Sequence, residues 1–332
     1  MMQIAIIGSQ YSGKTTVFRA LTGQATPSEG AELHIATIKV EDERLDFLKD
    51  TFKPKKLTHA TLDFIDAPRG KNPLSIGRDA DAFLAVIPLF GEFRDLITSF
   101  EELKQDMFLR DLEVCDSRIK KIMEAKSTED ERELALLQNC KEALDQEMPI
   151  RKLEFTEVDE KIIRGFQFLT LKPVVIVINV SAKTREDAKI SLFKEHVKDE
   201  IVLTIMGKLE SELWELPEAD ISDYMKELEI GERAHTQVTK AIYEASDLIT
   251  FFTVRGDETR AWQIKRETKA VQAAGKVHTD MEKGFIKAEI IGVDDFKAIG
   301  SLSEAKKVGK LRLEGKEYIV NDGDIIEFKF AR

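Results

Sequence analysis

The chain has 332 residues, of which 42% are hydrophobic and 33% charged, enough for two or three domains that each bury a core. Its formal net charge of -11 excludes a surface that is basic throughout, so any nucleic-acid contact would fall to a local patch. Cys115 and Cys140 are its only cysteines, too few for a disulfide framework and without metal-ligand spacing, and no apolar run approaches bilayer length.

Met1-Met2-Gln3 leads straight into a strand rather than a basic and then apolar signal segment, so a cytoplasmic location without membrane contact is expected. The apolar run Gln3-Ile4-Ala5-Ile6-Ile7 reads as a buried strand, and from Thr16 to Leu21 the pattern is helical. Between them Gly8-Ser9-Gln10-Tyr11-Ser12-Gly13-Lys14-Thr15 fits the GxxxxGK[ST] spacing. Glycines let such a loop wrap closely around phosphates, with backbone N–H groups and a helix N-terminus aimed at the anion. Residues 8–15, with Thr16, are therefore the expected nucleoside triphosphate cradle. Lys14 supplies the catalytic positive charge, and Thr15 a hydroxyl for Mg²⁺.

Further along, Thr37 in the segment His34-Ile35-Ala36-Thr37-Ile38 is a candidate switch hydroxyl for the metal. A helical pattern covers 44–52, and an apolar strand at 61–65 ends on Asp66, the place for a carboxylate that reaches Mg²⁺ through water. Further buried strands read at 82–87, 173–178 and 201–205, with a helix over 185–198, as parallel strands joined by crossovers require. Asn179 follows the most apolar of them and, with Val180, is expected at the nucleotide base, where an amide donates and accepts at once.

Residues 93–168 interrupt this series with long charged and apolar periodicity and almost no Gly or Pro, which predicts an inserted coiled-coil-like arm turning near 125–130. From about 247 short alternating strands and Gly-containing turns predict a small mixed-β domain. The expected organisation is an α/β P-loop domain of residues 1–92 and 169–246, an arm of 93–168 and a terminal domain of 247–332. Within 262–287, Lys265, Arg266, Lys269, Lys276, Lys283 and Lys287 interleave with Trp262, His278 and Phe285. Such a stretch reads as an RNA-facing patch or, equally, as an ordinary solvated face.

At these residues the chain resembles the YchF family, the Obg-like ATPases. The resemblance runs nearly end to end and is most specific in 247–253, Arg260-Ala261-Trp262, 272–280, Lys283-Gly284-Phe285-Ile286 and 309–316. It implies a GTPase-like core, an inserted helical arm, a β-grasp-like TGS domain, ATP as preferred nucleotide with Mg²⁺, and association with the ribosome or another RNA–protein assembly through the TGS domain and arm. Two departures stand out. The family's Asn-x-x-Glu reads here as Asn179-Val180-Ser181-Ala182, without the Glu. Its Asp-x-x-Gly reads Asp66-Ala67-Pro68-Arg69-Gly70, so Arg69 stands where a glycine N–H meets the γ-phosphate, and no Gln follows to orient water. Arg69 is then a candidate charge on the γ-phosphate, and hydrolysis without a partner should be slow. A nucleotide-gated module without hydrolysis is the competing reading. A small-molecule kinase, which would need a phosphoacceptor pocket and an Arg-rich lid, ranks last, because the arm is acidic and the TGS-like end has no obvious kinase use.

Overall fold

The computed structural model describes residues 2–24, 33–68, 72–90, 95–125 and 131–331. In chain order the strands are β1 (Met2–Ile7), β2 (His34–Lys39), β3 (Lys56–Thr58), β4 (Thr61–Asp66), β5 (Ala82–Leu89), β6 (Val174–Val180), β7 (Ile201–Ile205), β8 (Leu248–Arg255), β9 (Glu258–Lys265), β10 (Phe285–Gly292), β11 (Arg312–Glu314) and β12 (Asp324–Phe330). They form two six-stranded sheets, one in each of two compact units: residues 1–38 with 62–242, and residues 39–61 with 243–332.

The first sheet has the order β2-β4-β1-β5-β6-β7, and β4, β1, β5, β6 and β7 run parallel. Every residue of β5 and β6 is buried, which explains why both read as unbroken apolar runs: helices cover the two faces of a parallel sheet. All five strands expected from apolar runs are present within a residue or two of their predicted bounds.

The arm is built on the 30-residue helix Leu96–Ala125 and the helix Glu131–Asp145. Phe108, Cys115, Ile122, Leu137, Cys140 and Leu144 make their common core, joined by Ile150, Ile163 and Phe168. The turn expected near 125–130 lies, beyond Ala125, outside the described residues. Burial pushes the Cys115 thiol up to about 12 and that of Cys140 up to about 11, so both behave as apolar side chains. Asp111 on the long helix is fully buried and accepts from Leu169 N at 2.9 Å, Thr170 N at 2.7 Å and Thr170 Oγ1 at 2.8 Å. That carboxylate fastens the helix to the point where the arm returns to the sheet.

In the second unit the order is β11-β10-β12-β8-β9-β3, with antiparallel β10–β11, β10–β12 and β8–β9 pairs and parallel β12–β8 and β3–β9 pairs. Strand alternation sends Phe251 to one face, with Ile264, Phe285, Ile290 and Ala273, and Phe252 to the other, with Ile291, Phe296, Leu45 and Leu48.

The second set corrects the sequence reading. The helix Glu43–Phe52, expected as a crossover within a 1–92 domain, packs instead in the unit that contains 243–332. Its Asp42 cap accepts from Arg44 N at 2.9 Å, Arg44 pairs with Asp322 at 2.8 Å, and Phe52 stacks on Phe296 at 5.2 Å. The apolar face of the helix was legible, but its partner is supplied by residues some 250 positions away in sequence.

Lys172 is a buried cation just after the arm. Its Nζ donates to the carbonyls of Gly77, at 2.7 Å, and Arg78, which close the short helical segment after Asp66, and it lies 5.5 Å over the Phe83 ring. Burial pulls its pKa down to about 8, against the attraction of Asp79, Asp81 and Asp111. Between that value and about 10.5 the unfolded chain holds a proton that the folded chain has released, so stability should rise with pH across this window. In denaturant titrations from pH 7.5 to 10.5, wild type should gain about 1 to 2 kcal/mol relative to Lys172→Met, after allowance for solvent screening. Parallel pH curves for the two proteins would refute this.

Candidate functional site

The phosphate loop leaves β1 at Gly8 and enters the helix Lys14–Thr22 at Gly13. Both glycines have positive φ, 145° and 89°. A Cβ on Gly8 would lie 2.4 Å from the Val86 carbonyl oxygen, and one on Gly13 would lie 2.2 Å from Asn179 Nδ2. Only glycine fits either position, which is the backbone approach that a phosphate cradle needs. Tyr11 at the tip also has positive φ, 63°, and is 75% exposed.

Lys14 Nζ reaches back over the loop to the carbonyls of Gly8, at 3.2 Å, and Ser9, at 2.7 Å. Burial lowers its pKa, with Asp66 opposing the shift. Thr15 Oγ1 donates to Asp66 Oδ2 at 2.9 Å and so joins the first helical turn to the end of β4. Asp66 is 1% exposed; burial raises its pKa, while the Thr15 hydroxyl, His34, Lys14 and the Ala67 N–H pull it down. Its Oδ1 and the buried Ser12 Oγ have no hydrogen-bond partner among the described residues. A hydroxyl and a carboxylate with one free oxygen are the donors that Mg²⁺ takes while keeping several waters, so this pair fits that ion.

Thr37 is not part of this cluster. Its hydroxyl donates to Asp63 Oδ1 at 2.6 Å, and Asp63, three residues before Asp66 on β4, faces the other side of the sheet. The residue that β2 turns toward Asp66 is His34, with Nδ1 3.9 Å from Asp66 Oδ2. Strand alternation held the signal, since Ala36 and Ile38 are buried and share the His34 face, while Thr37 is exposed.

Asn179 is 4% exposed, and both ends of its amide are taken by backbone: Nδ2 donates to the Ser12 carbonyl at 3.2 Å, and Oδ1 accepts from Gly207 N at 3.2 Å. It therefore pins the phosphate loop to the start of the helix Gly207–Glu212. Gly207, missed in sequence, is where a Cβ would come within 2.9 Å of Asn179 Oδ1. Val180, expected beside the base, turns its side chain into the apolar core with Ile176, Ile178 and Phe193. Arg69 and Gly70 lie outside the described residues.

The basic stretch 262–287 is partly neutralised. Lys265 donates to the Ser246 carbonyl, Arg266 pairs with Asp247 and Lys269 with Glu317, while Lys276, Lys283 and Lys287 are exposed. Phe285 is buried, and Trp262 stacks on Phe251 at 6.3 Å beneath Arg260, so neither ring is a free stacking platform.

Removing the Asn179 amide strands one carbonyl and one N–H in the interior. Denaturant unfolding of Asn179→Ala should show a loss of about 2 kcal/mol. A loss within error of zero would mean that the loop is held by other contacts.

The family model YchF-GTPase_C, described as a protein of unknown function (DUF933), matches residues 248–331. The ribosome-binding ATPase YchF of Bacillus subtilis (strain 168) is 33% identical, with 98% of each chain covered. Obg-like ATPase 1 of Oryza sativa subsp. japonica is 32% identical over 99% of this chain and 92% of its own. Among solved structures, the Schizosaccharomyces pombe YchF GTPase superposes with a TM-score of 0.85 at 26% identity, covering 99% of this chain and 97% of that one. Two loop glycines pressed against neighbouring atoms, a lysine over the loop and a threonine–aspartate junction behind it thus occur in a chain that aligns with these relatives nearly end to end, and the chain belongs to the YchF/Obg-like ATPase family.

Proposed function

We propose that this protein is a P-loop ATPase that hydrolyses ATP with Mg²⁺ and uses its nucleotide state to govern docking on the ribosome or another RNA–protein assembly. The observation that carries the reading is the Thr15 Oγ1–Asp66 Oδ2 contact of 2.9 Å beside Lys14, in a loop whose glycines admit nothing larger. Bound Mg²⁺ would neutralise phosphate charge and orient the β- and γ-phosphate oxygens. Lys14 exchanges its two loop carbonyls for phosphate oxygens, and its charge stabilises the transferring phosphoryl group. Thr15 would hold the metal with its hydroxyl and Asp66 would reach it through water, a role open to a buried carboxylate whose Oδ1 has no hydrogen-bond partner among the described residues.

ATP is preferred because Asn179-Val180-Ser181-Ala182 lacks the carboxylate that holds the N1 and N2 donors of guanine, and because the Asn179 amide is engaged by backbone. Arg69 adds positive charge at the γ-phosphate in place of a glycine N–H. With Pro68 beside it and no Gln after it, the segment orients water poorly, so turnover is slow until a partner completes the site.

The names of the bacterial relatives support ribosome binding. Exposed Lys276, Lys283 and Lys287 in the terminal domain, read as a TGS domain, together with the arm, are the surfaces offered to that partner. Among the described residues no helix is long and apolar enough to cross a membrane; a cytoplasmic location goes with the proposed ribosomal partner.

Calorimetric titration of ATP and GTP with Mg²⁺, followed by single-turnover hydrolysis, tests the reading. ATP should bind more tightly than GTP, and Lys14→Ala should slow hydrolysis about a hundredfold or more. Equal rates for Lys14→Ala and wild type would contradict it. Tight ATP binding with no turnover would replace it with a nucleotide-gated module.

A further inference from the structure

β2 turns His34 inward on the face it shares with Ala36 and Ile38, leaving the side chain 12% exposed. Its Nδ1 lies 3.9 Å from Asp66 Oδ2, beyond hydrogen-bond reach, and has no partner among the described residues. Asp66 Oδ1 and Ser12 Oγ are likewise buried without partners. Buried polar atoms are nearly always satisfied, and these three, on the phosphate loop and the two strands beside it, are open to a bound group.

The chemistry of that group follows from the donors. Thr15 Oγ1 and His34 Nδ1 approach the same carboxylate oxygen, at 2.9 and 3.9 Å. Hydroxyl and carboxylate oxygens alone suit Mg²⁺, whereas an imidazole nitrogen shifts preference toward first-row transition cations. We propose that His34 is a nitrogen ligand of the divalent cation held by Thr15 and Asp66, and that it gives this chain a preference for a cation such as Mn²⁺ that the oxygen donors alone would not give.

The inference rests on the nucleotide–metal reading of the site and deepens it. The His34 imidazole would give a nitrogen lone pair to the cation. The cation's charge also offsets the desolvation that raises the Asp66 carboxyl. His34 then does for this chain what the sequence suggested for Thr37, and the change of donor from oxygen to nitrogen alters which metal is favoured.

Pulsed EPR tests this on the full chain, uniformly labelled with ¹⁵N and loaded with Mn²⁺ and unlabelled ADP. A ¹⁵N coupling of the size produced by a directly bound imidazole is expected in wild type and absent in His34→Gln. In competition titrations the variant should bind Mn²⁺ at least about tenfold more weakly, the cost seen even for outer-shell partners, while Mg²⁺ affinity changes less. Mn²⁺·ADP bound without the coupling, or an unchanged ratio of Mn²⁺ to Mg²⁺ affinity, would overturn the assignment of His34 and leave the nucleotide site standing. Calorimetry that shows no ADP binding to wild type would overturn both. The coupling is read on unmutated protein, so the assignment does not depend on the variant folding.

Discussion

One hydrogen bond, from Thr15 Oγ1 to Asp66 Oδ2, ties the loop after β1 to the end of β4 and sets what the first unit can do. The two strands are neighbours in parallel register, with Ile6 opposite Asp66, so both deliver their last residues to the same edge of the sheet. There the first turn of the helix Lys14–Thr22 meets a carboxylate that is buried and has one oxygen free. A buried carboxylate in such a place is costly unless cations balance it, and Lys14 is the cation already present.

The surrounding residues keep that junction in register. Asn179 holds the loop from below through the Ser12 carbonyl and fastens it to Gly207. Thr184 Oγ1 donates to the Leu89 carbonyl and receives Ser181 N at 3.0 Å, so the loop after β6 is fixed to the end of β5. On the other side of Asp66 the chain is caught again by Lys172 at Gly77 and Arg78, and by Gln167 Nε2 donating to Asp79 at 2.8 Å. Both of these donors belong to the return of the arm, a few residues from the Leu169 and Thr170 groups that Asp111 holds. Residues at the arm's base therefore hold Gly77, Arg78 and Asp79, the short helical segment that precedes β5.

Much of this was legible in sequence. The five apolar runs of the first sheet, the glycine spacing of the loop and Asp66 at a strand end follow from local pattern, because each reflects a local demand: burial on two faces, backbone approach to an anion, or a carboxylate at the sheet edge. The helix Glu43–Phe52 was legible as a helix and misplaced as a crossover, since an amphipathic face states that it is covered and not by what. Thr37 was expected at the metal from its hydroxyl and its place between the phosphate loop and the next strand, whereas the burial of Ala36 and Ile38 shows that His34, not Thr37, is on the inward face of β2. The work of Asn179 was beyond any local reading: its partners are backbone atoms 167 and 28 positions away.

On the proposed function, metal and nucleotide act together through the Asp66 carboxylate. The most direct measurement is calorimetric titration of ADP into wild type and Asp66→Asn, each with and without Mg²⁺. Wild type should gain about tenfold or more in affinity from Mg²⁺, and Asp66→Asn should lose that gain while its metal-free affinity stays within a few-fold of wild type. An Asp66→Asn protein that keeps the full benefit of Mg²⁺ would place the metal elsewhere and contradict the account.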